Sequence, residues 1–182
     1  MSDLRPDPAM FEGLAMPLFD SLYNFAHWLT QSREDAEDLV QETFAKALKG
    51  FGSFQPGTNF RAWIFRILRN TFLTSRSGLA ATAIKLPLNE EEDELVLTPS
   101  SRTPESLLLQ RLEAESLQDA IAALPVSYRE VLLLADVEEM SYQEIADMAG
   151  IPIGTVMSRL SRARKAVRET LQGSTRKQGA SK

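Results

Sequence analysis

No cysteine occurs among the 182 residues, and only one histidine, His27. Without thiols there can be no disulfide, no thiolate zinc site and no intrinsic thiol switch, a composition that suits a reducing compartment. No Gly-rich phosphate loop followed by lysine is present, and no acid, base, nucleophile and metal-ligand set converges in the sequence. His27, flanked by Ala26 and Trp28 on an apolar stretch, reads as a packed residue, and the carboxylates from Glu90 to Glu94 read as a solvated charge run. The chain is therefore not expected to be an enzyme, and neither a metal nor a cofactor is expected. No apolar run approaches membrane-spanning length, and the start MSDLRPDPAM lacks the basic-then-apolar order of a signal peptide. A cytoplasmic protein without membrane insertion is the expectation.

Strand-like alternation is also missing, so the fold class expected is all-α. Helical stretches are read over Ala9 to Thr30, Arg33 to Lys49 and Asn59 to Ser77. The stretch GLAATAIKLPLNEEEDELVLTPSSRT then breaks the helical period and gathers acid, Pro, Ser and Thr, as a flexible linker does. Thr103 and Pro104 supply an N-cap and a first-turn proline for a helix through Leu124, and a Pro125-led helix carries Tyr128, Val131, Leu132 and Leu134. The organisation expected is a helical domain over 9–77, an acidic linker over 78–103, a second helical domain over 104–172 and a basic flexible tail over 173–182.

The net charge of −5 conceals a polarised molecule. From Ile151 to Lys182 eight Lys or Arg face the single Glu169, whereas from Pro87 to Asp119 nine acidic residues face Arg102 and Arg111. A weak overall field limits indiscriminate attraction to DNA, while the basic end supplies local attraction to phosphates.

That basic end contains the most specific pattern. In SYQEIADMAGIPIGTVMSRLSRARKAVRETL, Ser141 and Glu144 form a capping box, Ile145, Ala146 and Ala149 lie on one inner side, Gly150 can end the helix and Pro152 marks a turn. Val156, Leu160, Ala163, Val167 and Leu171 then form one buried stripe, and Thr155, Ser158, Arg159, Arg162 and Lys165 fall opposite. Polar groups near the helix start with charge continuing along it match a helix-turn-helix recognition helix that reads base edges and tracks phosphates. An ordinary helical hairpin with a solvated outer face is the plainer alternative.

Two further faces stay open on residues alone. In SREDAEDLVQETFAKALKG the apolar positions Ala36, Leu39 or Val40, Phe44 and Ala47 leave a polar row of Asp35, Asp38, Gln41 and Glu42, which is either a solvated face or a partner surface. In NFRAWIFRILRNTFLTSRS one side carries Trp63, Ile64, Ile67 and Thr71, and another alternates Arg61, Phe65, Arg69, Phe72 and Arg76. Rings that stack on bases between arginines that follow phosphates suit melted nucleic acid. The equal alternative is that Phe65 and Phe72 belong to the core and the arginines flank it.

Taken together, DAEDLVQETFAKAL, NFRAWIFRILRNTFL, the acidic linker and LPVSYREVLLLADVEEMSYQEIADMAGIPIGTVMSRLSRAR resemble a bacterial RNA polymerase sigma factor of the extracytoplasmic-function group, over roughly Phe19 to Leu171. The resemblance implies a first domain that binds the clamp helices of the largest polymerase subunit, with Asp38 to Glu42, including Leu39, as that contact. It implies that the third helix and the Gly52 to Asn59 loop melt the −10 element and hold a flipped base, with Asn59, Arg61, Trp63, Arg66, Arg69 and Asn70 among the matching positions. Beyond Leu73 this chain departs from the usual basic or aromatic continuation, and only Arg76 is carried over. The resemblance further implies that the linker threads polymerase channels, that the helix-turn-helix reads the −35 element, and that an anti-sigma factor holds the protein. The rival is a conventional helix-turn-helix regulator, which would have no reason to present a base-stacking face and would need a dimerisation device.

Overall fold

The computed structural model describes residues 8–79 and 115–179. Helices account for the elements among them: α1 (Pro8–Ala15), α2 (Phe19–Thr30), α3 (Arg33–Gly50), α4 (Phe60–Leu79), α5 (helical over 115–122), α6 (Val126–Leu132), α7 (Tyr142–Ala149) and α8 (Ile153–Gly179). No helix of the described residues is long and apolar enough to cross a membrane. By their contacts the described residues divide into two compact units, one of 8–79 with 143–151, the other of 115–142 with 152–179.

The single helix expected over Ala9 to Thr30 is in fact two. Pro17 sits in a 3-10 turn, Met16–Leu18, between α1 and α2, because proline has no N–H to donate and its ring opposes the carbonyl four residues back. The next boundary is built from Gln31, which takes the left-handed conformation (φ 57°) and closes α2 with its N–H on the His27 carbonyl at 2.7 Å. Ser32 then opens α3 as its N-cap, accepting the Asp35 N–H at 3.3 Å. Glu34 and Asp35 in the first turn and Lys49 in the last suit the dipole of α3.

α3 packs against both α2 and α4. Leu22, Phe25, Ala26 and Leu29 from α2 meet a buried half of α3 made of Ala36, Leu39, Val40, Thr43 and Ala47. Ile64, Phe65, Leu68, Thr71 and Phe72 of α4 complete this core, with the Phe65 ring 5.4 Å from that of Phe25. Thr43 avoids an orphaned hydroxyl by donating to the Leu39 carbonyl at 2.7 Å. A second, aromatic cluster joins α1 to the α3–α4 connection. Phe11 lies edge-on to Phe51 at 5.3 Å, Phe51 stacks on Phe54 at 5.8 Å, and Phe54 meets both Phe60 and Trp63 at 5.3 Å. His27, expected to be packed, is exposed and stacks on Tyr23.

In the other unit α6 packs against α8. The apolar run continues past α6 into a π-turn, Leu133–Val137, and buries Val131, Leu132, Leu133 and Leu134 against the stripe of Val156, Leu160, Ala163 and Val167. The end of α5 is capped from a distance: buried Arg129 donates to the carbonyls of Ile121 (3.2 Å), Ala122 (2.7 Å) and Leu124 (2.7 Å). A guanidinium has donors enough for all three, and its charge suits a helix C-terminus. No sequence signal marked this residue, since a buried arginine is the exception among charged side chains.

Of the linker expected over 78–103, Gly78 and Leu79 instead complete α4, and the rest, with the Thr103–Pro104 helix start, falls at 80–114, outside the described residues. The tail expected from 173 is a correction: α8 continues to Gly179. Gly173 costs a helix interior about 1 kcal/mol and does not by itself stop one.

Candidate nucleic-acid and polymerase interface

On α3 the polar row stands free of the core. Asp35, Asp38, Gln41 and Glu42 are all exposed, and Glu42 pairs with Lys46 one turn on at 2.7 Å. Such an exposed i,i+4 pair is worth a few tenths of a kcal/mol, so it gives way easily to an incoming cation. Lys46 also donates to Thr71 of α4 at 3.3 Å, pinning the far side of the row. Leu39 requires a correction, because its side chain is 6% exposed and belongs to the core, so it cannot be part of a contact surface.

On α4 the arginine-and-aromatic face divides. Phe65 (0% exposed) and Phe72 (4%) are inside, so the assignment of Phe65 to base stacking is overturned. A ring wedged against Phe25 cannot meet a base without unfolding the unit. The arginines lie over these rings as a rim: the Arg61 guanidinium is 5.6 Å from the centre of Phe65, and that of Arg76 is 5.3 Å from Phe72. Arg69 is half-buried.

A different row is presented outward. Asn59, Arg66 and Asn70, spaced by seven and four residues, are all exposed, and half-buried Trp63 sits between the first two. The Asn59 side chain has two duties. Its carbonyl oxygen accepts the Ala62 N–H at 3.1 Å, capping α4, and its amide donates to Glu144 at 2.5 Å. Arg66 donates to the Asp147 carbonyl at 2.8 Å within the same unit. Gly57 (φ 89°) takes the left-handed turn in the preceding loop, and the Thr58 hydroxyl donates to the Gln55 carbonyl at 2.7 Å.

α7 begins directly after Ser141 and ends at Gly150, whose φ of 65° is the conformation that the glycine is there to allow. The Ile151 N–H returns to the Ala146 carbonyl at 3.1 Å, and Pro152 accepts the Thr155 and Val156 N–H groups to start α8. Ile145 and Ala146 are buried as the pattern requires; Met148 joins them in place of half-buried Ala149. Along α8, Thr155, Ser158, Arg159, Arg162 and Lys165 are all half-buried, with none in the core. The Ser158 hydroxyl donates to the Thr155 carbonyl at 3.2 Å, and Arg162 reaches the Tyr128 hydroxyl at 3.5 Å. Arg164 is committed elsewhere, in a two-bond fork to Asp136 at 2.6 and 3.2 Å. That hydrogen bonding holds its guanidinium in the charged form more firmly than usual. Two exposed large apolar side chains escaped the sequence reading of this helix: Ile153 and Met157. Among the described residues no three His, Cys, Asp or Glu side chains gather to hold a metal ion.

An acidic row, an outward Asn/Arg row and a basic helix after a glycine turn, on a frame that is helical among the described residues, define a two-module nucleic-acid-binding protein. Residues 15–80 match Sigma-70 region 2, and residues 114–167 match Sigma-70, region 4. The chain is 36% identical over 160 residues to the ECF RNA polymerase sigma factor EcfG of Rhodopseudomonas palustris, covering 82% of this chain and 84% of that one. It is 35% identical over 167 residues to the ECF RNA polymerase sigma factor SigE of Mycolicibacterium smegmatis, covering 86% of this chain and spanning 63% of that relative's length. Among solved structures, the sigma factor RpoE of Bartonella quintana, crystallised with the anti-sigma factor NepR, gives a TM-score of 0.67 at 28% identity over 90% of this chain and 97% of that one. CnrH in complex with the cytosolic domain of CnrY gives 0.64 at 25% identity, covering 92% and 91%. The chain belongs to the extracytoplasmic-function group of sigma-70 factors, the initiation factors of bacterial RNA polymerase.

Proposed function

We propose that this chain carries core RNA polymerase to its promoters by three surfaces. The acidic row Asp35, Asp38, Gln41 and Glu42 of α3 binds the clamp helices of the largest polymerase subunit. The outward row of α4, Asn59, Arg66 and Asn70 with Trp63 and the flanking Arg61, Arg69 and Arg76, engages the −10 element and its melted strand. Trp63 supplies the base-stacking ring that buried Phe65 cannot. Thr155, Ser158, Arg159, Arg162 and Lys165 of α8 read the −35 duplex. In this reading 9–77 and 104–172 are the two working domains, tethered through 78–103, so that each contact makes the next effectively intramolecular and each can be individually weak. The protein acts in the cytoplasm, where polymerase is, and is held by an anti-sigma factor, as the two structural neighbours are seen in complex with NepR and CnrY.

The observation that carries this reading is the match to region 2 and region 4 in order along one chain. Mixing the pure protein with core polymerase and genomic DNA tests it: initiation should appear at defined sites that core alone does not use. Arg162→Ala should then cost about 1 to 3 kcal/mol of discrimination between promoter and mismatched −35 duplexes. Control of genes by a stand-alone dimer, with no start-site selection by polymerase, would overturn it.

A further inference from the structure

We infer that Met157 is an additional specificity residue of α8, reading the C5-methyl group of a thymine in the duplex. The inference rests on the proposal that α8 enters the −35 major groove. Ile153 and Met157 are 43% and 52% exposed although the helix has a complete buried stripe without them, in Val156, Leu160, Ala163 and Val167. Four residues apart, they are neighbours on one face in the first two turns. This is the part of a recognition helix that reaches base edges, while the later turns run along phosphates. Arg164, seven residues on and so on the same side of the helix as Met157, is already forked to Asp136. What α8 offers on this side of its first two turns is thus apolar surface.

The major groove has one apolar feature among the four bases, the thymine methyl; every other base edge there presents donors or acceptors. A thioether side chain is unbranched and polarisable, and it adapts its rotamers to a small apolar partner. Against cytosine or a purine edge the same side chain would cover a polar group without satisfying it, so the contact selects as well as binds.

The test uses holoenzyme reconstituted from core polymerase and the full chain. Selection from random duplexes defines the preferred upstream element, and each of its thymines is then replaced by deoxyuridine, which removes the methyl and keeps the base pair. At one position the replacement should weaken wild-type holoenzyme about three- to fivefold, the amount expected for one buried methyl. Met157→Ala should bind the thymine duplex that much more weakly and no longer distinguish the two DNAs, with its melting temperature unchanged because the side chain is exposed. The inference falls if no thymine position responds, if the response survives in Met157→Ala, or if the preferred element has no thymine on either strand. A preferred element weakened by Arg162→Ala, but showing no coupling between Met157 and the methyl, removes this inference alone. Failure to select any upstream duplex removes the reading of α8 with it.

Discussion

α4 and α8 look alike as strings: each is long and basic, with several arginines beside a row of apolar side chains. Folded, they divide their residues differently. α8 buries an aliphatic stripe and keeps its candidate base-reading residues out of the core. α4 buries Phe65 and Phe72 from within the face on which the arginines lie, and presents Asn59, Arg66 and Asn70 on another. The lesson is that an aromatic ring at helical spacing has two good uses, in a core and against a base, whereas Val, Leu and Ala at that spacing have one. Where the apolar row is aliphatic, the opposite face can be read off the sequence. Where it is aromatic, only the neighbouring helices decide.

The sharpest way to break this contrast is at Phe65. Phe65→Ala should destabilise the first unit by about 3 to 5 kcal/mol in denaturant unfolding, as a cavity beside Phe25 would. Trp63→Ala, at a half-buried ring packed on Phe54 and Phe60, should cost less stability than Phe65→Ala and slow promoter opening, with activity recovered on a template whose −10 region is already unpaired. If Phe65→Ala left stability intact and bubble templates failed to rescue Trp63→Ala, the two rings would have been assigned the wrong way round.

A smaller effect is expected from the acidic row of α3. Reversing both Asp38 and Glu42 to lysine should reduce association with core polymerase at least tenfold, measured by co-purification or competition, while circular dichroism stays that of the wild type. Both side chains are exposed, so loss of helicity together with binding would point to a structural role instead. The smallest of these effects belongs to the turn before α8. Gly150→Ala meets no atom within 4 Å, so its cost is only the left-handed backbone, about 1 kcal/mol. Thermal unfolding should show a modest downward shift, and a clearly larger one would mean that the turn is packed against something.

Pattern alone went far on the caps and the aliphatic faces. Ser32, Ser141 and Gly150 sit where helix boundaries were expected, because capping is chemistry between residues two to four apart and needs no knowledge of the rest of the chain. The same holds for the stripe of α8 from Val156 to Val167, and for the polar row of α3 standing apart from its apolar one. The misses share another origin. Pro17 split a helix that periodicity ran together, although proline is itself a local signal. Leu39 and Val40 offered two candidates for one buried place, and the core took both, since α3 is covered by α2 and α4 at once. Arg129, a charged residue by composition, became an internal cap because three carbonyls at the end of α5 converge on it.

What this sequence determined unaided is whatever depends on neighbours along one helix: the helical class of the fold, several of its caps, its separation of acid from base, and the amphipathic helix after Gly150. Only the tertiary structure could decide which side of α4 faces outward and which arginines are already engaged, as Arg164 is with Asp136. Burial is a property of surfaces brought together from distant parts of the chain, and periodicity describes one such surface without naming the other.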